Sequence, residues 1–514
     1  MKADVAILGG GLAGLALSRQ LEREVPDAKV VVIERAGFPV PERTHKVGES
    51  LVELGAHYLR DVLGLADHLA EHHLPKLGLR FFFGDGTPRP LAERLEYGVF
   101  RPPGLAPDAP FTGLPVPSHQ IDRGRLENHL AALAGERLVA GRVEGVELAS
   151  DGPHRVRLEG GETVEARWVV DATGRRRMLA RQQRSSRPLP HGAHALYARV
   201  DARLAVEDWC DGDFTDRMAR PGLRHLATNH LLGPGYWIWL IPLPGEGTSV
   251  GVMCDPAIAP IEPRASIDAL LRFLRPREPE LAAALARAPI ADVRFLAGEA
   301  YDAEQVYSRD RWALTGEAAL YLDPLYSPGA DFIAIGNTLI TRMIEADLAG
   351  RSIAGLARTS ELVLRQLVDG YLDQYRGAYA MLGAPTAMVH KVVWDSALYF
   401  RDARPALPER RLGDPRTLGA IRPDLEKARR LHSMSQAALR SIAARERVGS
   451  GGLLRHEDVP LLVDLNFRLG PPLGPRELVR TLSEHLGRLE AFHADVLRPA
   501  ADGGRSALPI EGAA

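Results

Sequence analysis

The chain offers little from which a disulfide framework or a zinc cage could be built. Its only cysteines are Cys210 and Cys254, neither in a C-x-x-C pair, so both read as inert thiols and no metal site is expected. Charge of one sign is also missing. With 64 Lys and Arg against 66 Asp and Glu, the formal net charge is -2, which removes the electrostatic case for a nucleic-acid partner or an anionic membrane. No apolar run approaches the length of a membrane span. Strand-like sequence begins at Asp4, which leaves no room for a signal peptide, so a cytoplasmic enzyme is expected. Lysine is scarce too, confined to Lys2, Lys29, Lys46, Lys76, Lys391 and Lys427. Where arginine is so dominant, a retained lysine is a candidate for chemistry that needs a compact donor with a tunable pKa.

What is present fills 514 residues, 45% hydrophobic and 25% charged, enough for two or three cooperating domains of ordinary globular composition. The rest is organised around Asp4–Glu34. Val5-Ala6-Ile7-Leu8 reads as a buried parallel strand that ends in Gly9-Gly10-Gly11-Leu12-Ala13-Gly14. Leu15 to Glu22 has helical apolar spacing, and a second buried strand follows from Lys29 to Ile33, with Glu34 and Arg35 after it. Strand, G-x-G-x-x-G, helix, strand and acid in that order form the dinucleotide fingerprint. Gly9 serves the tight turn, Gly11 the close approach of a pyrophosphate, Gly14 the helix packing, and Glu34 a ribose. The segment Lys46-Val47-Gly48-Glu49-Ser50 is either a surface loop or a strip along the cofactor. Further along, Arg123 heads a helix, and Trp168 to Asp171 is a buried strand that runs into Thr173-Gly174. His194 to Val252 alternates as an antiparallel sheet would, and Arg311 to Leu314 is a last core strand before Gly316-Glu317. From Asp331 onward, helical patterns dominate.

These separated segments together resemble the FAD-binding framework of glutathione-reductase type, as arranged in p-hydroxybenzoate-hydroxylase-like flavoproteins. That resemblance implies an α/β fold: a Rossmann-like FAD domain (1–75, 101–190 and 295–345) with an inserted antiparallel substrate domain (76–100 and 191–294). A helical C-terminal region (346–500) and a disordered tail (501–514) complete the expected layout. FAD would be held by Gly9, Gly11, Leu12, Ala13, Gly14, Glu34, Arg35, Lys46, Gly48, Glu49, Ser50, Arg123, Thr173, Gly174, Gly316 and Glu317, the last standing where that family usually has Asp. No second dinucleotide fingerprint is present, which implies that a separate flavin reductase supplies reduced flavin.

Two motifs narrow the resemblance. Trp237-Ile238-Trp239-Leu240-Ile241-Pro242 fits the W-x-W-x-I-P signature of flavin-dependent halogenases, although two tryptophans two apart also describe one face of a core strand. Tyr321 to Gly329, with Pro324, Tyr326 and Ser327 inside it, resembles that family's F-x-x-P-x-x-S-x-G signature. The family resemblance implies a chloride or bromide site at Ser327, Pro328, Gly329 and Ala330. It also implies that Lys76, followed by Arg80 and a strand, receives hypohalous acid at the end of a tunnel and aims it at an electron-rich ring. A lysine that merely opens a strand is the plainer reading.

The departures are specific. The tryptophan-acting branch has Glu where this chain has Tyr326, which points to a substrate that activates itself, such as a phenol or pyrrole, free or bound to a carrier protein. Pro328 removes one backbone donor from the halide site. It thereby keeps open a hydroxylase or oxidase on the same scaffold, and a flavin-binding protein without activity is the third class.

Overall fold

The computed structural model describes residues 1–42, 46–99, 118–210, 214, 223–298, 300–403, 415–446, 451–467, 473–504 and 507–510. Arg101–Pro117, a Pro- and Gly-rich stretch that by composition could cover a pocket, falls outside the described residues, as do Arg43, Thr44 and His45.

The first strand, Lys2–Leu8, pairs in parallel with Val30–Glu34 on one side and with Thr163–Asp171 on the other. Leu138–Ala140 and Trp312–Leu314 extend the parallel core outward. Strands covered on both faces have no solvent side to alternate with, which is why they read as unbroken apolar runs. His154–Leu158 and Val143–Glu147 add an antiparallel meander to the early half of Thr163–Asp171. The helix Leu12–Glu24 packs on this sheet through Gly14, where a Cβ would lie 2.0 Å from the Gly9 carbonyl oxygen. Only glycine fits there.

The second sheet has eight strands in the order Ile290–Leu296, His194–Val200, Gly247–Cys254, Tyr236–Leu243, Thr228–Gly233, Leu79–Phe83, Leu95–Gly98 and Gly452–Arg455. One face, with Ile238, Leu240, Val250 and Val252, packs under the helices Ile267–Leu274 and Pro279–Leu285. The other face, with Phe81, Phe83, Trp237, Trp239 and Met253, joins the core shared by the nucleotide sheet and the C-terminal helices.

Several local expectations are corrected. The sheet is mixed: Thr228–Gly233 pairs in parallel with Leu79–Phe83. The C-terminal region, read as helical, also contributes the strand Gly452–Arg455, which pairs in parallel with Leu95–Gly98. Gly84-Asp85-Gly86, a hairpin signal by composition after Leu79–Phe83, does not close a tight hairpin, because the connection runs on to Arg94 before the antiparallel partner begins. Leu51 to Leu69 has a helical apolar pattern, but the helix is broken at Gly64, which has φ +68°. Leu508, within the segment read as a disordered tail, is buried in the main core. No described helix is long and apolar enough to cross a membrane.

A histidine cluster at the start of the helix Arg123–Ala134 makes this region acid-sensitive. The Asp122 N–H donates to His73 Nδ1 at 3.0 Å, so His73 carries its proton on Nε2, 3.3 Å from His68 Nε2. His68 in turn stacks on His129 at 3.9 Å. Burial pushes His68 down to about 4 and His73 down to about 3. Unfolded histidines take up protons near pH 6.5 while these stay neutral, so stability is complete above that pH and falls as pH drops toward about 4. Thermal midpoints measured from pH 7 to 5 should fall less steeply for His68→Gln than for the parent, and equal slopes would contradict this account.

Candidate functional site

At the nucleotide end, the Gly10 N–H donates to Glu34 Oε2 at 2.6 Å and the Ala36 N–H to Oε1 at 2.8 Å. The carboxylate is thereby fixed, and each oxygen keeps a lone pair for a sugar hydroxyl. A Cβ on Gly11 would meet nothing within 4 Å, so the backbone there borders open space at the start of a helix. Thr173 donates through N–H and hydroxyl to Asp171 Oδ1 at 2.9 and 2.6 Å, which sets the turn at Gly174, φ +60°. Gly316, φ +58°, abuts Ala13. Arg123 donates to the Val47 carbonyl at 2.7 Å and to Glu127 at 2.7 Å, and Lys46 also pairs with Glu127. The Arg123 Nε is buried without a partner. An orphaned cationic donor and an open glycine edge at a helix N-terminus are the groups a diphosphate calls for, so the residues present suit FAD. Arg35 is exposed, and Glu317 turns outward to pair with Arg175 at 3.2 Å.

Replacing Gly11 by tryptophan should therefore leave the fold intact while filling the space that a pyrophosphate would enter. Purified Gly11→Trp is expected to melt like the parent but to lose bound flavin, read as absorbance near 450 nm; full flavin content would show the fingerprint to be misplaced.

Lys76 lies at the end of the short strand Leu74–Lys76 and is 2% exposed. Its Nζ donates to the Leu51 carbonyl and, at 2.8 Å, to Ser50 Oγ. The Ser327 hydroxyl donates to the same Ser50 oxygen at 3.2 Å. Ser50, expected against the cofactor, thus joins the lysine to the Tyr321–Gly329 segment. Burial drives the Lys76 ammonium down to about 7, against the pull of the Glu53 and Asp331 carboxylates. Burial likewise raises Asp331 to about 7 and lifts Glu53 above the usual carboxylate range. Lys76 lines a cavity of about 90 Å³ with Leu51, Glu53, Phe81, Tyr97, Tyr326 and Tyr399.

The two motifs meet through a residue that sequence reasoning missed. Trp237 Nε1 donates to the Tyr379 hydroxyl at 3.0 Å, and Tyr379 donates to Asp323 Oδ2 at 2.6 Å. Trp237 and Trp239 share one buried face, 5.6 Å apart, with Ile241 and Pro242 further along the strand. Trp237 thus anchors the loop that carries Pro324, Tyr326 and Ser327, while Trp239 Nε1 donates to Ser249 Oγ at 3.2 Å on the neighbouring strand. Tyr326 and Ser327 have φ of +71° and +59°, a left-handed turn that non-glycine residues adopt at a cost. The Ser327 N–H is spent on the Pro324 carbonyl at 2.8 Å, and Pro328 caps the helix Gly329–Leu348. The Gly329 and Ala330 N–H groups open that helix and have no intrahelical acceptor.

Residues 106–359 match the family model described as tryptophan halogenase, and residues 7–70 match an NAD(P)-binding Rossmann-like domain. The chain resembles the flavin-dependent halogenase family. It is an FAD-dependent oxidoreductase. Flavin-dependent halogenase chlA of Dictyostelium discoideum is 26% identical over 450 residues, 78% of this chain and 70% of that protein. Tetracycline 7-halogenase of Kitasatospora aureofaciens is 29% identical over 67% of this chain and 63% of its own length. Among solved structures, halogenase PltM in complex with phloroglucinol and FAD shares the fold at TM-score 0.67 and 16% identity, over 95% of this chain and 96% of that one.

Further residues were missed. Asp395 accepts from the Tyr326 hydroxyl at 3.1 Å, from Lys391 at 2.8 Å and from Gln436 at 2.7 Å. The scarcity of lysine, together with the i, i+4 spacing of Lys391 and Asp395, was the available signal.

Proposed function

We propose that this enzyme halogenates a phenolic ring, using hypohalous acid held by Lys76. The observation that carries the reading is the placement of a fully buried lysine, joined through Ser50 to Ser327, in a cavity walled by aromatic side chains. FAD, when bound, supplies the oxidising equivalents that turn chloride or bromide into hypohalous acid, and a separate reductase returns the flavin to its reduced form. Lys76 donates a hydrogen bond to the oxidant, or takes up the halogen as a haloamine, and presents it to the ring. Halogen is transferred to a ring carbon, the hydroxide left behind takes a proton from the Lys76 ammonium and departs as water, and the ring proton passes to Glu53 in the same cavity, from which the lysine is reprotonated; on the haloamine route water leaves as the N–halogen bond forms, and the ring proton restores the amine. The substrate hydroxyl activates the ring itself, which accords with Tyr326 in place of a catalytic glutamate. Two of the compared proteins, by name or by bound ligand, handle hydroxylated rings: tetracycline and phloroglucinol.

The test is turnover of a phenol with FAD, NADH, a flavin reductase and oxygen, with and without bromide, read by product mass. Brominated product that requires the reductase supports the reading. Hydroxylated product in either arm favours the hydroxylase that Pro328 allows, as does fast flavin reduction by NADH alone.

A further inference from the structure

Behind the Lys76 cavity lies a second one of about 180 Å³, twice the size of the first. It is enclosed by the helices Gly329–Leu348, Ala354–Tyr375, Pro385–Ala403 and Pro415–Arg445. Its walls are largely apolar, among them Phe332, Ile335, Leu367, Leu398 and Leu425. Tyr371, Gln374, Asp395 and Tyr399 line both cavities, so the partition is one layer of side chains thick. On the far side, Gln366, Glu426 and Arg429 line the same cavity and are exposed.

Gly370 borders this space. It stands in the last third of the helix Ala354–Tyr375, where glycine weakens a helix, and it lines the cavity. Its φ is not in the left-handed region, and a Cβ built on it would meet nothing within 4 Å. Neither backbone conformation nor packing asks for glycine here, and a large side chain in its place would take up part of the cavity.

We infer that the two cavities form one bipartite substrate site: the ring to be modified sits beside Lys76, and an apolar extension on that ring fills the space lined by Gly370. The inference rests on the reading of the Lys76 cavity as the ring's place and deepens it by naming the substrate class, a free phenol with an alkyl or aryl tail. A free tailed phenol suits the Phe332, Ile335, Leu367 and Leu398 walls, whereas a pantetheine arm would have to set its two amides, whose N–H and C=O groups need partners, against the polar part of the lining, such as Gln366, Arg401 and His432.

Binding decides this without turnover. FAD-loaded full-length protein is titrated calorimetrically with resorcinol, with 5-pentylresorcinol and with a pantetheine thioester of 3,5-dihydroxybenzoate. The parent should bind 5-pentylresorcinol at least tenfold more tightly than resorcinol, and the thioester no better than resorcinol. Gly370→Leu should melt at or above the parent's temperature, since leucine is the better helix former. It should nonetheless lose the tenfold advantage of the tail while its affinity for resorcinol is unchanged. No tail-dependent gain in the parent, a gain that survives Gly370→Leu, or preferred binding of the thioester would each overturn the inference. Bromination of resorcinol alongside any of those results would leave the halogenase reading standing. Tail-dependent binding with no bromination would sink that reading and keep the site.

Discussion

Lys76→Ala is expected to abolish halogenated product while flavin content stays at the parent's level and peroxide continues to be released. Hypohalous acid free in solution reacts indiscriminately, so selectivity requires a donor that holds it beside the ring. Lys76 is that donor in the proposed site: it is buried, oriented by the Leu51 carbonyl and Ser50, and displaced to about 7 by burial. Loss of one positioned donor in a dry site costs about 10²–10³ in rate. Lys76→Arg should fail as well, because its guanidinium is larger, keeps its proton and forms no haloamine. Product by mass spectrometry, peroxide and flavin absorbance are measured together on both variants. Halogenation by Lys76→Ala near the parent's rate would remove this lysine from the mechanism.

The largest stability effect should come from Glu96. Its carboxylate accepts from Arg80 Nη1 at 2.6 Å and from Arg224 at 2.8 and 2.9 Å, and all three residues are buried. The two guanidinium groups hold the Glu96 carboxyl below its usual range against the cost of burial. Glu96→Ala removes the carboxylate that the two buried guanidinium groups share, a loss of about 3–5 kcal/mol on the scale of broken buried pairs. Urea unfolding should show a clearly lower midpoint for Glu96→Ala, whereas the apolar triple substitution Arg80→Met, Glu96→Leu, Arg224→Met should recover most of it. If the single variant unfolds with the parent, the cluster contributes nothing to stability. This geometry also explains the basic residue four positions after Lys76: Arg80 points away from the cavity and pins the strand on which the lysine's placement depends.

The nucleotide half was legible because its determinants are local. Val5–Leu8, Gly9–Gly14 and Glu34 lie within one strand–helix–strand unit, where each residue's task follows from its neighbours. The tryptophan pair was legible as a motif, but its link through Tyr379 to Asp323 was not, since the bond joins residues 142 apart in sequence. The same holds for Asp395, Glu53 and Gly370, which acquire meaning only when the helices stack. Lysine scarcity proved a better guide than it first looked. Lys76 and Lys391 are both buried and bonded, whereas Lys2 is 87% exposed and pairs only at the surface. The Gly452–Arg455 strand escaped notice because a four-residue edge strand carries too little alternation to stand out among helices.

That strand has a bearing on protein engineering. By pairing with Leu95–Gly98 it covers an edge whose backbone groups would otherwise be open to another chain. The C-terminal region is therefore no detachable cassette: a chimera that exchanges its helices to alter substrate range must also import a strand matched to the host sheet, or the hybrid will present a raw edge and polymerise.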